Sequence, residues 1–591
     1  MKKILALFGL LCSLYAYKFD SYWLTLLHYK KNLLGNYVSL IDDKNFFISE
    51  KGKYNPYKEF LVSIKLIKTD PQKFACRFPL RYEYINSKYH LNDFNISECK
   101  ELNKYLKDVN PQKAVLVFAD ADMNKPASMF GHTFIRIDTK ENLPVLSSAV
   151  NYAAHVTDTN GILFAFKGIF GFYKAYYSLM PYYDKLKQYS DKDNRDLWEY
   201  GLKLNKKQVL NMALHIWELK DIYSDYYFFS ENCSYNILFL IEAADSDLHV
   251  TDDYFLTVIP IDTVKDLKSK GMIVSYNYRP SLVTQIETIS KPVKNKEIIV
   301  KIAKGLIPAK KVLDLNITEE KKARILDSAV RYLEYLSKKI YIDKNVYTKR
   351  FISILKVRSK VKYISDYHYK IPFNPVNSHN SKRLSFTAGH DNGNNYIKFG
   401  LRLAYHTLVD PIKGYKLGSS LAFGNFEVIY KNSQLKFNKI GLVEIESLTP
   451  RDEFFKPISW KIFAGFYRKV IHNNNKLVFE INPGGGFTYK IDHSLVYALI
   501  NTDFNFNSDY NKNYSFGAGL ESGVIKYFNN NAIIANIGIN RYLLGDIHTY
   551  KYFNFKYRYT LNIQNAIVFA YKYENEYEVN KKVQFSLMHY F

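Results

Sequence analysis

A mixed α+β exported domain, a helical segment and a transmembrane antiparallel β-barrel of about twelve strands are predicted for this 591-residue chain. Three observations carry the prediction. The chain opens on two lysines and an apolar run, the pattern of a secretory signal. Residues 383–591 alternate apolar and polar with period two, are rich in aromatics and end on Phe591. Between these parts, helical periods and short buried strands alternate, and a chain of this length is too long for a single core.

In chain order, residues 1–16 read as the signal. Lys2 and Lys3 form its charged start, Ile4 to Leu14 its apolar run, and Leu14-Tyr15-Ala16 its cleavage site. Residues 17–283 form the soluble domain. Its first part is mostly helical, with an amphipathic helix opening at Tyr22-Trp23-Leu24 and a short strand or turn at Phe46-Phe47-Ile48. Val115-Leu116-Val117-Phe118-Ala119 reads as a buried strand. Residues 132–138 and 145–154 read as a hairpin around Thr139-Lys140-Glu141-Asn142. Residues 192–222 and 233–244 are predicted helices, the first with Leu197, Tyr200, Leu204, Leu210, Ala213 and Trp217 on its apolar face. Lysine-rich amphipathic stretches between 284 and about 360 predict a helical hairpin or spacer, within a linker segment running to 382. In the barrel, Phe553, Phe555, Tyr557, Tyr559 and Leu561 share one face. Tyr552, Asn554, Lys556, Arg558 and Thr560 share the other. Turn clusters at Asp391-Asn392-Gly393-Asn394, Asn473-Asn474-Asn475, Asn507-Ser508-Asp509 and Asn529-Asn530-Asn531 punctuate the strands. A soluble β-sandwich or an eight-stranded barrel is the competing architecture.

Lys+Arg exceed Asp+Glu by 25. In an exported chain this charge suits anionic headgroups, lipopolysaccharide or cell-wall polymers, or reflects a lysine-rich composition without a binding role. The lysines are dispersed and no nucleic-acid motif appears, so a nucleic-acid partner is not expected. No HExxH or CxxC spacing appears, so neither metal nor cofactor is expected. Of four cysteines, Cys12 leaves with the signal. Cys76 and Cys99 flank one stretch of an exported chain and are paired as a disulfide. Cys233 remains as the odd thiol.

That thiol carries the chemistry. In Ser230-Glu231-Asn232-Cys233-Ser234-Tyr235 a polar stretch meets the apolar run from Ile237 to Ile241. Ser230 or Asn232 caps a helix there, and Cys233 falls in its first turn, where the dipole favours the thiolate. The alternative is a buried, inert cysteine. Upstream, Phe130-Gly131-His132-Thr133-Phe134 sets His132 at the mouth of a strand as a general base. Hairpin partners summing to about 283 place Asn151 opposite His132, where its amide fixes the imidazole tautomer. His155 is the alternative orienter, and a strand residue without a role is the alternative for Asn151. Asn232 and Ser234 beside the thiol are read as site support, and the Cys233 amide with one further donor as an oxyanion hole. His215, Trp217 and Glu218 read as packing, and Arg195-Asp196 and Arg136 as phosphate binders or buried ion pairs. His406 and Asp410 read as a polar patch facing the barrel lumen, with a second site in the barrel wall as the alternative.

The order strand-histidine, strand-asparagine, helix-cysteine resembles the circularly permuted papain-like group, which includes NlpC/P60-related and lecithin:retinol acyltransferase-like proteins. In that group an Asn-Cys pair at a helix start supplies the nucleophile, here Asn232-Cys233. A wider set of motifs resembles the Lnb family N-terminal periplasmic domain over about residues 20–285. They are Ala75-Cys76-Arg77-Phe78-Pro79, Ser128-Met129-Phe130-Gly131-His132-Thr133-Phe134, Ala149-Val150-Asn151-Tyr152, Lys167-Gly168-Ile169-Phe170-Gly171, Arg195-Asp196-Leu197-Trp198-Glu199-Tyr200, His215-Ile216-Trp217-Glu218-Leu219, Glu231-Asn232-Cys233-Ser234-Tyr235 and Tyr278-Arg279-Pro280-Ser281. This resemblance implies an exported thiol enzyme, one branch of which moves an acyl chain from phospholipid to the N-terminal cysteine amine of a lipoprotein. That branch is anchored by membrane helices, whereas here a barrel takes their place. Ala404-Tyr405-His406, Asp410-Pro411, Gly414-Tyr415 and Ile458-Ser459-Trp460 resemble barrels joined to such domains, and the C-terminal Phe resembles the signal read by the barrel-assembly machinery.

The expected protein is therefore an outer-membrane barrel with a periplasmic cysteine acyltransferase or hydrolase acting on phospholipid or lipoprotein. The competing readings are an amidase or peptidase on peptidoglycan, and a barrel whose soluble domain only binds.

Overall fold

The computed structural model describes residues 20–122, 129–141, 143–158, 160–472 and 474–591. The predicted signal at 1–16 and the turn residues Asn142 and Asn473 lie outside them. The chain forms two compact units. One holds the residues through Ala119, 132–187 and 198–277; the other holds 120–131, 188–197 and 278–591.

The first unit is α+β. A short hairpin, β1 (Tyr29–Lys31) and β2 (Tyr37–Ser39), sits among helices. The main sheet contains β3 (Lys113–Ala119), β4 (His132–Asp138), β5 (Ser148–Ala154), β6 (Tyr173–Pro181), β7 (Leu197–Leu202), β8 (Tyr223–Tyr226) and β9 (Ile273–Arg279), in the order β8-β6-β5-β4-β3-β7-β9. β3 is a nearly continuous apolar run, and β4 is buried from Thr133 to Asp138, because both faces of the sheet centre are covered. Against β4 and β5 lies the helix Cys233–Ala244, every residue of which is buried. Cys76 and Cys99 form a disulfide spanning 23 residues.

One helical expectation fails here. Residues 197–202, assigned to the helix 192–222, form β7, and the helix starts only at Lys206. Leu-Trp-Glu-Tyr-Gly-Leu is aromatic-rich and carries Gly201, a poor helix residue, and burial between β3 and β9 overrides the chance three-to-four spacing. The helix that does form, Lys206–Glu218, begins at a capping box of Asn205 and Gln208.

The second unit contains four longer helical stretches, Leu282–Ser290, Glu297–Ala303, Glu319–Lys339 and Lys344–Arg358, and a closed barrel. The helices are not a bare spacer. Their shared core, with Leu326, Ala329 and Leu333, takes in Phe454 from a barrel loop, and Tyr332 donates its hydroxyl to the Phe454 carbonyl at 3.0 Å.

The barrel has twelve antiparallel strands, from Arg383–Asp391 to Val579–Tyr590, and the first pairs with the last from Arg383↔Tyr590 to Asp391↔Lys582. Closure removes the free edges that an open sheet would present to lipid. The dyad pattern has its expected consequence. Phe399, Phe437, Ile500, Leu520, Phe585 and Leu587 point outward and are exposed, while Arg402, Asn501, Asp503, Glu521, Tyr542 and Arg558 are buried in the lumen. Among the described residues no helix is long and apolar enough to cross a membrane; the crossing is made by strands.

Candidate active site

The site is built at the start of the helix Cys233–Ala244. Asn232 is its N-cap, and the side-chain oxygen accepts the amides of Ser234 at 3.0 Å and Tyr235 at 3.3 Å. The Asn232 amide nitrogen donates to the carbonyls of Val258 at 2.7 Å and Phe228 at 3.2 Å. Asn232 is thus fully used in anchoring the helix start, and what it supports is the position of the next residue, Cys233. Ser230, the other capping candidate, does not cap this helix.

Cys233 is a free thiol, 3% exposed. His132 is the first residue of β4, entered through Gly131 at φ 89°, a left-handed conformation that glycine adopts without strain. The Nε2 of His132 lies 2.7 Å from the Oδ1 of Asn151. An amide oxygen only accepts, so the imidazole proton is held on Nε2 and Nδ1 is the basic nitrogen. The two side chains meet from a register two residues away from that expected. β4 and β5 pair as Ile135↔Val150, Arg136↔Ala149 and Ile137↔Ser148, a sum of 285 rather than 283. Asn151 therefore reaches His132 diagonally, beyond the last paired residues. His155 instead ties its backbone amide to the Lys174 carbonyl at 2.8 Å.

Burial alone would raise the Cys233 thiol. The charge and hydrogen bond of His132, the backbone amide of Thr133 and the Ser234 hydroxyl outweigh it and bring the thiol down to about 6. The Ser234 oxygen is 3.8 Å from the sulfur and accepts a hydrogen bond from the Thr133 hydroxyl at 3.0 Å. Ser234 is thereby part of the thiol's own surroundings.

One site residue has no sequence signal. The Cys233 amide donates to the hydroxyl of Tyr226 at 3.4 Å. Burial, with the Cys233 charge next, pushes the Tyr226 phenol well above its ordinary value, so it remains a hydroxyl and a donor. Its ring stacks on Tyr152 at 6.0 Å, and Tyr152 meets Tyr177 at 4.8 Å, which makes the wall beside the thiol aromatic. In the sequence Tyr226 is one aromatic within Tyr-Tyr-Phe-Phe, seven residues before the cysteine. Only the placement of β8 at the sheet edge brings it to the helix start.

The other candidates resolve as packing. Arg136 is buried and paired with Asp138 at 2.6 Å and Glu199 at 3.0 Å, so it is an ion pair and not a phosphate site. Arg195 is buried and donates to the Asp120 carbonyl at 2.5 Å, and Asp196 accepts from Tyr278, Ser281 and Thr284. His215 holds Glu218 at 2.9 Å inside the helix layer, and Trp217 donates to the Cys76 carbonyl at 2.9 Å.

In the second unit, His379, His406 and Asp410 are the group among the described residues whose spacing suits a metal ion. Asp410, however, already pairs with Arg402 and with Arg383 at 3.2 Å, and accepts the Tyr590 hydroxyl at 2.8 Å. Two guanidinium charges compensate the carboxylate and repel a cation from it. The cluster joins the first and last strands of the barrel.

A closed barrel with an apolar exterior and a polar interior, joined to an α+β domain with a buried Cys-His pair, defines an outer-membrane β-barrel protein with a soluble thiol-bearing domain. Residues 101–270 match the Lnb N-terminal periplasmic domain, so the chain carries that domain ahead of its barrel. Residues 17–88, 276–368 and 372–590 match three domains of unknown function, DUF7843, DUF7842 and DUF7840. No curated protein matches the chain. Similar solved structures include a KdgM porin in complex with oligogalacturonate, 12% identical over 35% of this chain and 99% of that chain at a TM-score of 0.22. A NanC porin is 9% identical over 35% and 99% of the two chains at 0.23. An anion-selective porin from Comamonas acidovorans is 8% identical over 36% and 99% at 0.20.

Proposed function

We propose that the periplasmic domain is a cysteine acyltransferase or acyl hydrolase acting on phospholipid or lipoprotein, on a permuted papain-like arrangement. The observation that carries this reading is the Cys233 thiol, brought to about 6 by a facing His132 whose Nε2 is held 2.7 Å from Asn151. At neutral pH such a thiol is mostly thiolate, the nucleophilic form.

In the proposed reaction the Cys233 proton passes to Nδ1 of His132, the sulfur attacks the carbonyl carbon of an ester, and the carbonyl π electrons move to oxygen. The Tyr226 hydroxyl, which accepts the Cys233 amide at 3.4 Å and keeps its own proton, is the donor available to that oxyanion. The intermediate collapses as the ester C–O bond breaks, and the His132 imidazolium protonates the departing alcohol. The acyl group is then a thioester on Cys233. An amine or a water attacks it, His132 takes the attacking proton, and the thiolate is released. Asn151 keeps the imidazole in the working tautomer throughout.

The half-buried Tyr226 ring, stacked on the buried Tyr152, is the aromatic surface beside the thiol, and it favours an acyl chain over a polar peptide. Mass spectrometry of the detergent-extracted protein tests the reading, with wild type beside Cys233→Ala and His132→Ala. A fatty-acyl mass on Cys233 that His132→Ala alters is the expected result. An unmodified Cys233 that resists iodoacetamide at neutral pH removes the nucleophile. A reactive but never acylated Cys233 moves the substrate to peptidoglycan peptide bonds.

A further inference from the structure

The helix Gly161–Ile169 and the start of β6 leave an apolar face uncovered. Leu163, Phe166, Phe170 and Phe172 are 42%, 52%, 57% and 64% exposed. They form one patch: Phe166 lies 4.8 Å from Phe170 and 6.0 Å from Phe172, nearly parallel to the latter. Scattered single hydrophobes on a surface need no explanation, but a contiguous group of phenylalanines does. Beside the patch, along the exposed side of β6, come Lys174 and Tyr176, with the Lys174 ammonium 4.0 Å over the Tyr223 ring. Exposed Phe and Leu bordered by Tyr and Lys are the composition of an element lying in a lipid interface, with rings among acyl chains and ammonium groups at phosphates.

The patch is coupled to the thiol site by short contacts. The Phe228 amide donates to the Gly168 carbonyl at 2.8 Å, and the Phe228 ring lies 4.9 Å from Phe164 on the inner side of the same helix. A Cβ at Gly168 would stand 2.2 Å from the Phe228 ring, so this close approach requires glycine. Phe228 follows Tyr226 by two residues, and its carbonyl receives the Asn232 amide. The helix is thus fastened to the segment that ends in Cys233.

We propose that this face, built from Leu163, Phe166, Phe170, Phe172 and Lys174, is a docking surface for the phospholipid leaflet of the membrane that holds the barrel. The covalent link to the barrel keeps a bilayer at high effective concentration, so a small apolar face suffices for reversible contact. Lys174 at the edge of the face suits the anionic headgroups of such a leaflet, in keeping with a chain whose formal charge is +25. The proposal deepens the acyl-transfer reading by bringing acyl chains to the segment that holds the nucleophile, yet it stands on the surface alone.

The test is nitroxide accessibility in the full chain. Single cysteines are introduced as Phe166→Cys, Phe170→Cys, Phe172→Cys and, as a control, Leu34→Cys, which is 84% exposed. The background is Cys233→Ala, and the protein is reconstituted into vesicles of phosphatidylethanolamine and phosphatidylglycerol with the relaxants on both sides. Labels at 166, 170 and 172 are expected to be relaxed by oxygen and to lose relaxation by a water-soluble nickel chelate, with the reverse at 34. Chelate access at 170 and 172 equal to that at 34 overturns the proposal, because the face is then in water. Shielding from both relaxants also overturns it, because protein then covers the face. Lipid-embedded labels in a protein whose wild-type Cys233 resists alkylation leave the surface standing and remove only the acyl-transfer reading.

Discussion

Two regions of this molecule bury ionisable groups, and they do so to opposite ends. At the barrel seam Asp410 is surrounded by Arg402, Arg383 and the Tyr590 hydroxyl, and the Arg558 guanidinium reaches its backbone carbonyl at 2.6 Å. Elsewhere in the lumen Glu521 is held by Lys461 at 2.5 Å, Tyr552 at 2.7 Å and Tyr497 at 3.1 Å. These charges are consumed by their partners, and the result is a rigid interior. In the periplasmic domain Cys233 is equally buried, yet its partners stabilise the thiolate without bonding to it covalently or balancing it with a permanent cation. The first arrangement fastens strands together. The second stores a nucleophile.

Breaking each arrangement should therefore have a different readout. The largest effect is expected from Cys233→Ala, which removes the nucleophile. Acyl-adduct formation should fall by on the order of 10⁴-fold or to background, with the heat-induced gel shift of the barrel unchanged. Asp410→Asn should do the reverse. It leaves Arg402 and Arg383 buried with a neutral partner and costs about 3–5 kcal/mol, read as a lower urea midpoint for barrel unfolding, while Cys233 alkylation stays normal.

A third effect sharpens the comparison by pH. The wild-type thiol should react with iodoacetamide along a curve with a midpoint near 6, present above that pH and lost as pH falls through it. In His132→Ala the largest lowering cause is gone and burial remains, so the curve should move up to or beyond the ordinary thiol value of 9.0. At pH 7 this is a loss of about 100-fold in rate. The smallest effect should come from Asn232→Ala. It removes the helix cap, at a cost of about 1–2 kcal/mol in the stability of the periplasmic domain, with the barrel untouched.

Much of this contrast was already legible in the residues. Period two over residues 383–591 is dictated by a sheet with lipid on one face and a filled lumen on the other, so strand number and sidedness followed from local pattern. A cap residue, a cysteine and an apolar run place a thiol in a first helical turn by local chemistry alone, and the fold keeps that placement. The pattern failed where local preference and tertiary demand diverge. Leu197–Leu202 had helical spacing but was recruited into the sheet beside β3, because a strand position between β3 and β9 buries Trp198 and Tyr200 on one face and Leu197 and Glu199 on the other. The hairpin register was legible only to within two residues because the turn alone does not determine it; packing on the helix Cys233–Ala244 does.

By itself, then, the sequence determined the kinds of element, the lipid-facing and lumen-facing sets, the disulfide partners and the residue types available for thiol chemistry. These depend on periodicity, caps and composition, which act over a few residues. Tertiary structure alone decided that Tyr226 meets the Cys233 amide, that Asn151 reaches His132 on a diagonal, and that Asp410 is shared between two arginines from neighbouring strands. Each of these joins side chains from different elements. Such distances are set by how elements pack, and no short-range pattern encodes them.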